Sequence, residues 1–378
     1  MAPKTYDDIQ VSRLQLAGAY LEMLKAQPGR PLAMFAPRRV GKTFFLDNDL
    51  APVAKKAGWL PVYADLWLQK ENPLAAINHA LAEALDDATV PAGELGKVAK
   101  TPVKRVGVLG ASIDLGDAPA RAALPASPEL QFDALVARLH AASGKTVLLM
   151  LDEIQSLGEV AGSEKILAAL RAVLHRRRDM LGAVFTGSSQ EAMARMLATA
   201  GAPMYQFAQL LDFPALGDEY LVALANHFSK VHPGKRLDLD DLRKTFARIG
   251  FKPRLLRDLV KSMSAEGMTD FDEGVRRYIH DARQTLGWNA LLQPLDAFDR
   301  LLLAAIARGK PPLGQETLKE IGRHRPVGKA TIARARVAIE RMRGAGLITK
   351  AVRGGARIDD PLFAEYLATA EPEDLLGG

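Results

Sequence analysis

Residues 31–43, PLAMFAPRRVGKT, constrain the fold more than any other stretch of this 378-residue chain. An apolar run stops at a turn, and Gly41, Lys42 and Thr43 then open a segment with helical apolar spacing. Strand, loop, Gly-Lys-Thr and helix, in that order, are the layout of a phosphate-binding loop (P-loop). Loop amides and a helix N-terminus point N–H groups at a polyphosphate, the lysine reaches its β and γ phosphates, and the threonine hydroxyl completes a Mg²⁺ shell. The stretch therefore predicts a site for a triphosphate and Mg²⁺.

The predicted loop departs from the usual motif at one position. The pattern G-x-x-x-x-G-K-[ST] places glycine where this chain has Ala36, and a methyl group fits there if the residue has a negative φ. A Gly-Lys-Thr sequence can also be accidental, since a second one, at 144–146, precedes a strand. A second site is therefore needed to decide. The residues predicted to contact the nucleotide are Ala36, Pro37, Arg38, Arg39, Val40, Gly41, Lys42, Thr43 and Phe44.

That second site lies in residues 147–157, VLLMLDEIQSL. Five consecutive apolar residues are typical of a central parallel strand covered on both faces, and two acids end it. Acids at this end of a strand lie where open α/β sheets bind ligands. Asp152 would hold Mg²⁺ together with Thr43, and Glu153 would activate the attacking water as general base. The alternative for Glu153 is an acid in the first turn of a helix, favoured by the helix dipole.

The composition excludes several classes of protein. The chain has no cysteine, so disulfides, thiolate metal sites and cysteine nucleophiles are excluded. The N-terminus, MAPKTYDDIQ, is unlike a signal peptide, and no apolar run approaches the roughly 20 residues needed to span a bilayer. We therefore expect a cytoplasmic protein without a membrane partner.

The order of the predicted elements divides the chain into three domains. Strands alternate with helices as far as residue 213, which predicts an α/β fold with a parallel sheet. From residue 214 the pattern is helical only, and from about residue 294 a third unit begins. We therefore predict a P-loop α/β core at 1–213, a helical lid at 214–292 and a winged helix at 293–378.

Together these segments resemble the AAA+ superfamily of P-loop ATPases, above all its archaeal-type signal-transduction (STAND) branch, with the origin-initiator ATPases as cousins. The resemblance spans about residues 10–368. It implies that the nucleotide is ATP and that the chain is an ATPase, and it allows a homo-oligomer, whose subunit number the sequence does not give. The motifs that carry it are PRRVGKT at 37–43, LLMLDEIQSL at 148–157, FTGSS at 185–189, GFKPRLLR at 250–257 and GLITKAVRGGARIDDPLF at 346–363.

The resemblance also assigns roles to individual residues. Ser188 or Ser189 would sense the γ-phosphate from the strand beside the acidic strand, although Ser189 is equally suited to cap a helix. Arg254 would report the phosphate state to the lid, with a surface arginine at a helix start as the alternative. The family often carries an arginine just before its fifth strand, but this chain has Met-Tyr-Gln-Phe at 204–207. Arg195 is one substitute for it, and without such an arginine turnover should be slow.

The C-terminal module carries most of the positive charge. Residues 308–357 hold 13 Lys and Arg against three acids, in a chain whose net charge is +6. Helix, turn, basic helix and two short strands predict a winged helix that contacts DNA phosphates. The predicted nucleic-acid contacts are Lys329, Arg334, Arg336, Arg341, Lys350, Arg353 and Arg357.

Three functions remain open from the sequence. The first is an ATP-controlled DNA-binding protein. The second is a STAND-type signalling switch whose winged helix binds a protein partner, because winged helices also serve as interaction modules. The third is a nucleotide-binding scaffold without turnover.

Overall fold

The computed structural model describes residues 5–89, 107–108, 111–112, 123–158, 160, 162–188, 190–285, 287–324, 327–350 and 355–376. The chain divides into two compact units, one made of Ser12–Pro214 and the other of Met1–Val11 with Ala215–Gly378. The described strands are β1 (Leu32–Phe35), β2 (Leu60–Asp65), β3 (Gly107–Val108), β4 (Ala111–Ser112), β5 (Val147–Asp152), β6 (Leu181–Gly187), β7 (Gln209–Asp212), β8 (Ile348–Lys350) and β9 (Ala356–Ile358).

The first unit is built on a five-stranded sheet in the order β2-β5-β6-β1-β7. Every pairing in this sheet is parallel, as the alternation of strands and helices predicted. All six residues of β5 are buried, and successive side chains enter different cores. Leu148 and Met150 join the core on one face, whereas Leu149 and Leu151 join the core on the other. This two-sided burial explains why the central strand is an unbroken apolar run.

Helices cover both faces of the sheet. A π-helical turn, Leu46–Leu50, joins the two α-helical parts that follow the P-loop, and 3-10 turns lie at Tyr6–Asp8 and Ile154–Gly158. The described helices of the first unit are α1 (Leu14–Ala26), α2 (Lys42–Phe45), α3 (Ala51–Lys56), α4 (Pro73–Thr89), α5 (Pro128–Ser143), α6 (Ser163–Arg176) and α7 (Gln190–Leu197).

The second unit is mainly helical and has one hydrophobic core of its own. The predicted lid and winged-helix segments both contribute to this core, as do Tyr6 and Ile9 from the start of the chain. Its described helices are α8 (Asp218–Val231), α9 (Leu239–Arg248), α10 (Pro253–Ala265), α11 (Phe271–Thr285), α12 (Trp288–Leu292), α13 (Ala297–Ala307), α14 (Gln315–Ile321), α15 (Ile332–Gly344), α16 (Pro361–Thr369) and α17 (Pro372–Leu376).

The end of the chain has the element order of a winged helix. Helices α13, α14 and α15 are followed by β8 and β9, which pair antiparallel. The residues between these two strands, including Arg353, lie outside the described residues apart from Gly355. No helix in the described part of the chain is both long enough and apolar enough to cross a membrane.

The sequence YQFAQLLDF at 205–213 predicts the fifth strand of the core, and in the structure this strand is shorter. The segment 205–213 forms a strand only at Gln209–Asp212, because turns occupy residues 202–207. The sequence VKRVGVLGASIDLG at 103–116 also predicts a β-hairpin, of which only the antiparallel pair β3–β4 is described, and the rest of it lies outside the described residues.

An ion pair fastens α5 to the end of α6 in the first unit. Arg177 donates to both oxygens of Asp133, from Nε at 3.0 Å and from Nη2 at 2.9 Å. This hydrogen bonding lowers the pKa of Asp133 below its ordinary value, despite the partial burial of the carboxyl group. A depressed carboxyl pKa contributes stability above the ordinary pKa, and this contribution is lost as the pH falls through the folded-state value.

We predict that Asp133→Asn lowers the free energy of unfolding by about 1–2 kcal/mol at pH 7, because the charge-assisted hydrogen bonds weaken. Chemical denaturation at several pH values measures this difference, which should shrink as the pH falls from the ordinary carboxyl pKa through the lowered folded-state value of Asp133. Asp179→Asn, at an exposed acid two residues beyond Arg177, is the control. An equal effect of both variants at every pH would contradict the assignment.

Candidate nucleotide-binding site

The P-loop connects the end of β1 to the start of α2 through two left-handed residues. Arg39 has φ +68° and Gly41 has φ +96°. A Cβ added at Gly41 would meet no atom within 4 Å, so glycine is favoured here by backbone conformation and not by crowding. Ala36 is not among the described residues with positive φ, and its N–H donates to Gly187 O at 3.3 Å. Alanine is therefore tolerated where the motif has glycine.

Lys42 lies beneath the loop and is only 6% exposed. Its ammonium group donates to the carbonyl oxygens of Ala36 at 2.6 Å and Pro37 at 3.1 Å. These contacts draw the loop around the cation, because a buried ammonium group requires acceptors. The loop therefore encloses a positive charge at the N-terminal end of α2, which is the arrangement that attracts a polyphosphate.

Asp152 joins this loop to the acidic strand. The hydroxyl group of Thr43 donates to Asp152 Oδ2 at 2.6 Å, although the two residues are 109 positions apart. Tyr63 donates to the same oxygen at 3.2 Å, whereas the Thr186 hydroxyl and the Glu153 N–H donate to Oδ1. These donors compensate a carboxylate that is only 5% exposed. The P-loop threonine and the strand acid thus lie together as predicted.

The oxygen atoms at this point suit a magnesium ion. Mg²⁺ prefers hard oxygen ligands and is usually held by one or two protein groups together with substrate phosphates and water. Thr43 and Asp152 supply a hydroxyl and a carboxylate oxygen. Within the described ranges, no group of three or more His, Asp or Glu side chains is arranged to hold a metal on its own. The residues therefore fit a metal ion that arrives with a nucleotide.

Glu153 has a strained backbone and a fixed side chain. Its φ is +57°, and it precedes the 3-10 turn at Ile154, so it is not in the first turn of a helix. Its Oε2 accepts hydrogen bonds from Ser188 Oγ at 2.6 Å, from Ser188 N at 3.3 Å and from the Gln155 amide. The other oxygen, Oε1, takes part in none of these bonds. Left-handed backbone at a non-glycine residue is costly and is concentrated at functional sites.

Three residues of this site were not anticipated from the sequence. Tyr63 and Thr186 both donate a hydrogen bond to Asp152. Burial is the larger cause that raises the pKa of Tyr63, and the negative charge of Asp152 raises it further, so the Tyr63 hydroxyl group stays a donor. Asp47 lies one helical turn after Thr43, and its pKa is raised by burial and by the charge of Asp152. Thr186 gave a weak signal as a polar residue within the apolar run of β6.

The residues predicted to sense the phosphate state of the nucleotide have different surroundings. Ser189 is outside the described residues, whereas Ser188 contacts Glu153. Arg254 is the second residue of α10 in the other unit, where its side chain is 76% exposed and 3.8 Å from Asp258. Its role toward a nucleotide therefore stays a prediction.

The predicted nucleic-acid residues fall into two groups. Arg334 donates to Asp296 at 2.9 Å and lies 4.4 Å from the ring centre of Phe298, and Arg341 pairs with the buried Asp299. These two arginines hold α15 against α13. A second group is exposed, and it consists of Lys329, Arg336 and Arg357. Lys350 ends β8, and Arg353 lies outside the described residues.

The exposed face of α15 is less charged than the sequence suggested. Ile332 is 43% exposed and Val337 is 63% exposed, beside Arg336. Over the whole segment 293–378, moreover, 14 Lys and Arg face 11 Asp and Glu. The acids outside 308–357 thus offset most of the excess positive charge, and two of them, Asp296 and Asp299, do so by direct contact.

We predict opposite effects for two glycine-to-alanine substitutions. Gly41→Ala should lower the free energy of unfolding by about 1 kcal/mol, because alanine is disfavoured in the left-handed region. Gly18→Ala, inside α1 with open space around the added methyl group, should raise it by about 0.5–1 kcal/mol. Equilibrium denaturation compares the two, and a stabilising Gly41→Ala would show that the loop does not hold this conformation in solution.

We compared the sequence and the fold of this chain with those of known proteins. No protein-family model matches the sequence, and a search of curated proteins finds no significant match. Among solved structures, a Walker-type ATPase of Pyrococcus abyssi is similar, with a TM-score of 0.57, 16% identity and coverage of 97% of this chain and 98% of that one. The ORC2 protein of Aeropyrum pernix, solved as ADPNP–ADP complexes, has a TM-score of 0.50, 16% identity and coverage of 96% and 92%. The chain therefore has the fold of the AAA+ P-loop ATPases, as its motifs predicted.

Proposed function

We propose that the protein binds ATP with Mg²⁺ and hydrolyses it slowly. The observation that carries this proposal is the hydrogen bond between Thr43 and Asp152, since it joins the loop and the acid that share Mg²⁺ in P-loop ATPases. The similarity to ATPases over nearly the whole chain supports it at the level of the fold.

Each residue has a defined part in this proposal. The loop amides and Lys42 hold the phosphates, and Thr43 and Asp152 hold the metal. A bound Mg²⁺ would supply positive charge that neutralises the phosphates. Glu153 would take the proton from water at Oε1, because Oε2 is the acceptor of its three hydrogen bonds. Ser188 would link the phosphate state to Glu153, since its hydroxyl group already contacts that carboxylate.

Slow turnover follows from two features. The hydrogen bonds from Ser188 and Gln155 fix the Glu153 side chain, so a productive water position requires these bonds to adjust. The stretch 204–207 contains no arginine, so no charged group is available there to stabilise the transition state of a neighbouring subunit. Both features suit a switch better than a motor.

We predict distinct effects for two substitutions in the site. Lys42→Ala should weaken ATP binding at least tenfold, because the cation that faces the phosphates is lost. Glu153→Gln should leave ATP affinity within about threefold and lower kcat at least a hundredfold, because an amide cannot accept the proton. Calorimetry measures affinity, and phosphate release measures turnover.

The controls are Lys56→Ala and Glu164→Gln, both at exposed positions of the same unit. Unchanged turnover in Glu153→Gln would make Glu153 a structural acid only.

We further propose that the nucleotide state controls DNA binding by the winged-helix module. The exposed Lys329, Arg336 and Arg357 support this proposal because they lie on the turn, the second helix and the wing strand that contact DNA in such modules. Arg334 and Arg341 serve the internal packing of the module in this proposal. A protein partner is the second candidate, favoured by the exposed apolar side chains of Ile332 and Val337, which flank Arg336 on α15.

We predict that Arg336→Ala and Arg334→Ala separate DNA binding from stability. Arg336→Ala should weaken binding to duplex DNA and reduce the salt dependence of log Kd by about one unit, because one phosphate contact is lost. Arg334→Ala should instead lower the free energy of unfolding by about 1 kcal/mol, because the half-exposed Asp296 loses its ion-pair partner and the Phe298 ring loses its cation. Fluorescence anisotropy at several salt concentrations, with ATP and with ADP, measures the first effect. Absent or salt-independent binding, together with loss of a protein interaction in Val337→Asp, would support the protein partner.

A further inference from the structure

Trp67 lies beside the P-loop and holds two cations. It lies two residues after the end of β2, and its backbone N–H donates to Asp65 Oδ1 at 2.8 Å, which fixes the turn. Its side chain is 38% exposed. The Arg38 guanidinium lies 4.6 Å from the indole ring centre, and the Lys70 ammonium lies 4.2 Å from it.

The ring positions these cations without neutralising them. Attraction to the face of an aromatic ring orients a cation but adds no negative charge. Within the described residues, neither Arg38 nor Lys70 forms an ion pair with an acid, in contrast to Arg334 with Asp296. The Arg38 guanidinium therefore retains its full charge for a bound anion. Lys70 differs from Arg38 because it belongs to the same turn as Trp67, so its ring contact is local.

The contact between Arg38 and Trp67 crosses the centre of the sheet. Arg38 belongs to the loop after β1, and Trp67 follows β2, but β5 and β6 lie between these strands. Three strand spacings separate β1 from β2, which is about 14 Å. The loop and its arginine therefore extend over the carboxyl ends of β6 and β5. Asp152 is at the end of β5, so a side chain that spans this distance crosses the strand whose carboxylate Thr43 contacts.

We propose that Arg38 binds the terminal phosphate of ATP, and that Trp67 is the positioning residue that holds it ready. This inference rests on the proposed ATP binding. A triphosphate is the nearest polyanion expected for a side chain carried by the P-loop itself. A bidentate guanidinium–phosphate contact is stronger than an exposed cation–ring contact, so Arg38 moves from the indole to the phosphate when ATP binds. ADP lacks the third phosphate and leaves Arg38 on the ring.

Nucleotide affinities give the first test. Calorimetry with a non-hydrolysable ATP analogue and with ADP compares the wild-type protein, Arg38→Ala and Lys70→Ala. Arg38→Ala should weaken binding of the ATP analogue about tenfold and binding of ADP less than twofold. Lys70→Ala is the matched control and should change neither affinity more than twofold. Arg38→Lys, which keeps the charge but loses the planar fork, should fall between the wild-type protein and Arg38→Ala.

The indole of Trp67 reports the movement directly. The chain has three tryptophans, and the Nε1–H signal of Trp67 in a ¹⁵N-tryptophan spectrum is the one that disappears in Trp67→Phe. We expect the ATP analogue to shift this signal and ADP to leave it nearly unchanged. In Arg38→Ala, with the analogue at saturating concentration, the additional shift should be absent.

The outcomes distinguish this inference from the proposed function. If the wild-type protein binds the analogue but Arg38→Ala keeps the same preference for it over ADP, the inference is wrong and ATP binding stands. If the wild-type protein binds neither nucleotide, the proposed function itself fails. If single-stranded DNA, and not the ATP analogue, shifts the Trp67 signal, the cations serve nucleic acid, and the assignment to the terminal phosphate is wrong.

Discussion

The hydrogen bond between Thr43 and Asp152 is the interaction on which the remaining structure of the site depends. It brings a helix N-terminus and a strand end together from distant parts of the chain. Burial of the Asp152 carboxylate is tolerable only because hydroxyl and amide donors surround it. The Lys42 ammonium beneath the neighbouring loop supplies a compensating positive charge. A cation bound by Thr43 and Asp152 would further neutralise the negative charge of the buried Asp152 carboxylate.

The packing of the sheet fixes the position of Asp152, which forms this interaction. Alternate residues of β5 enter two separate cores, so the strand cannot shift without uncovering apolar side chains on both faces. Strain is then concentrated where the strands end, at Glu153 and in the P-loop at Arg39. Functional loops with strained backbone are commonly carried by a rigidly packed scaffold, as the packed sheet carries these loops here.

Local motifs predicted the centre of the site, and long-range packing decided the rest. The order strand, loop, Gly-Lys-Thr and helix, with an apolar strand that ends in acids, was enough to predict that Thr43 and Asp152 meet. Tyr63 was not predictable in this way, because its contact with Asp152 depends on the register of two neighbouring strands. Arg334 was predicted as a DNA contact from the face of one helix, whereas its partners are on another helix. A basic helix face shows charge, but it does not show which acids lie opposite.

The dependence of ATP affinity on Mg²⁺ tests the central claim most directly. Calorimetry with and without EDTA compares the wild-type protein with Asp152→Asn, which keeps the size of the side chain but loses its charge. If Thr43 and Asp152 hold the metal, Mg²⁺ should strengthen ATP binding to the wild-type protein at least tenfold and should have little effect on Asp152→Asn. Equal ATP affinity of the wild-type protein with and without Mg²⁺ would contradict the account.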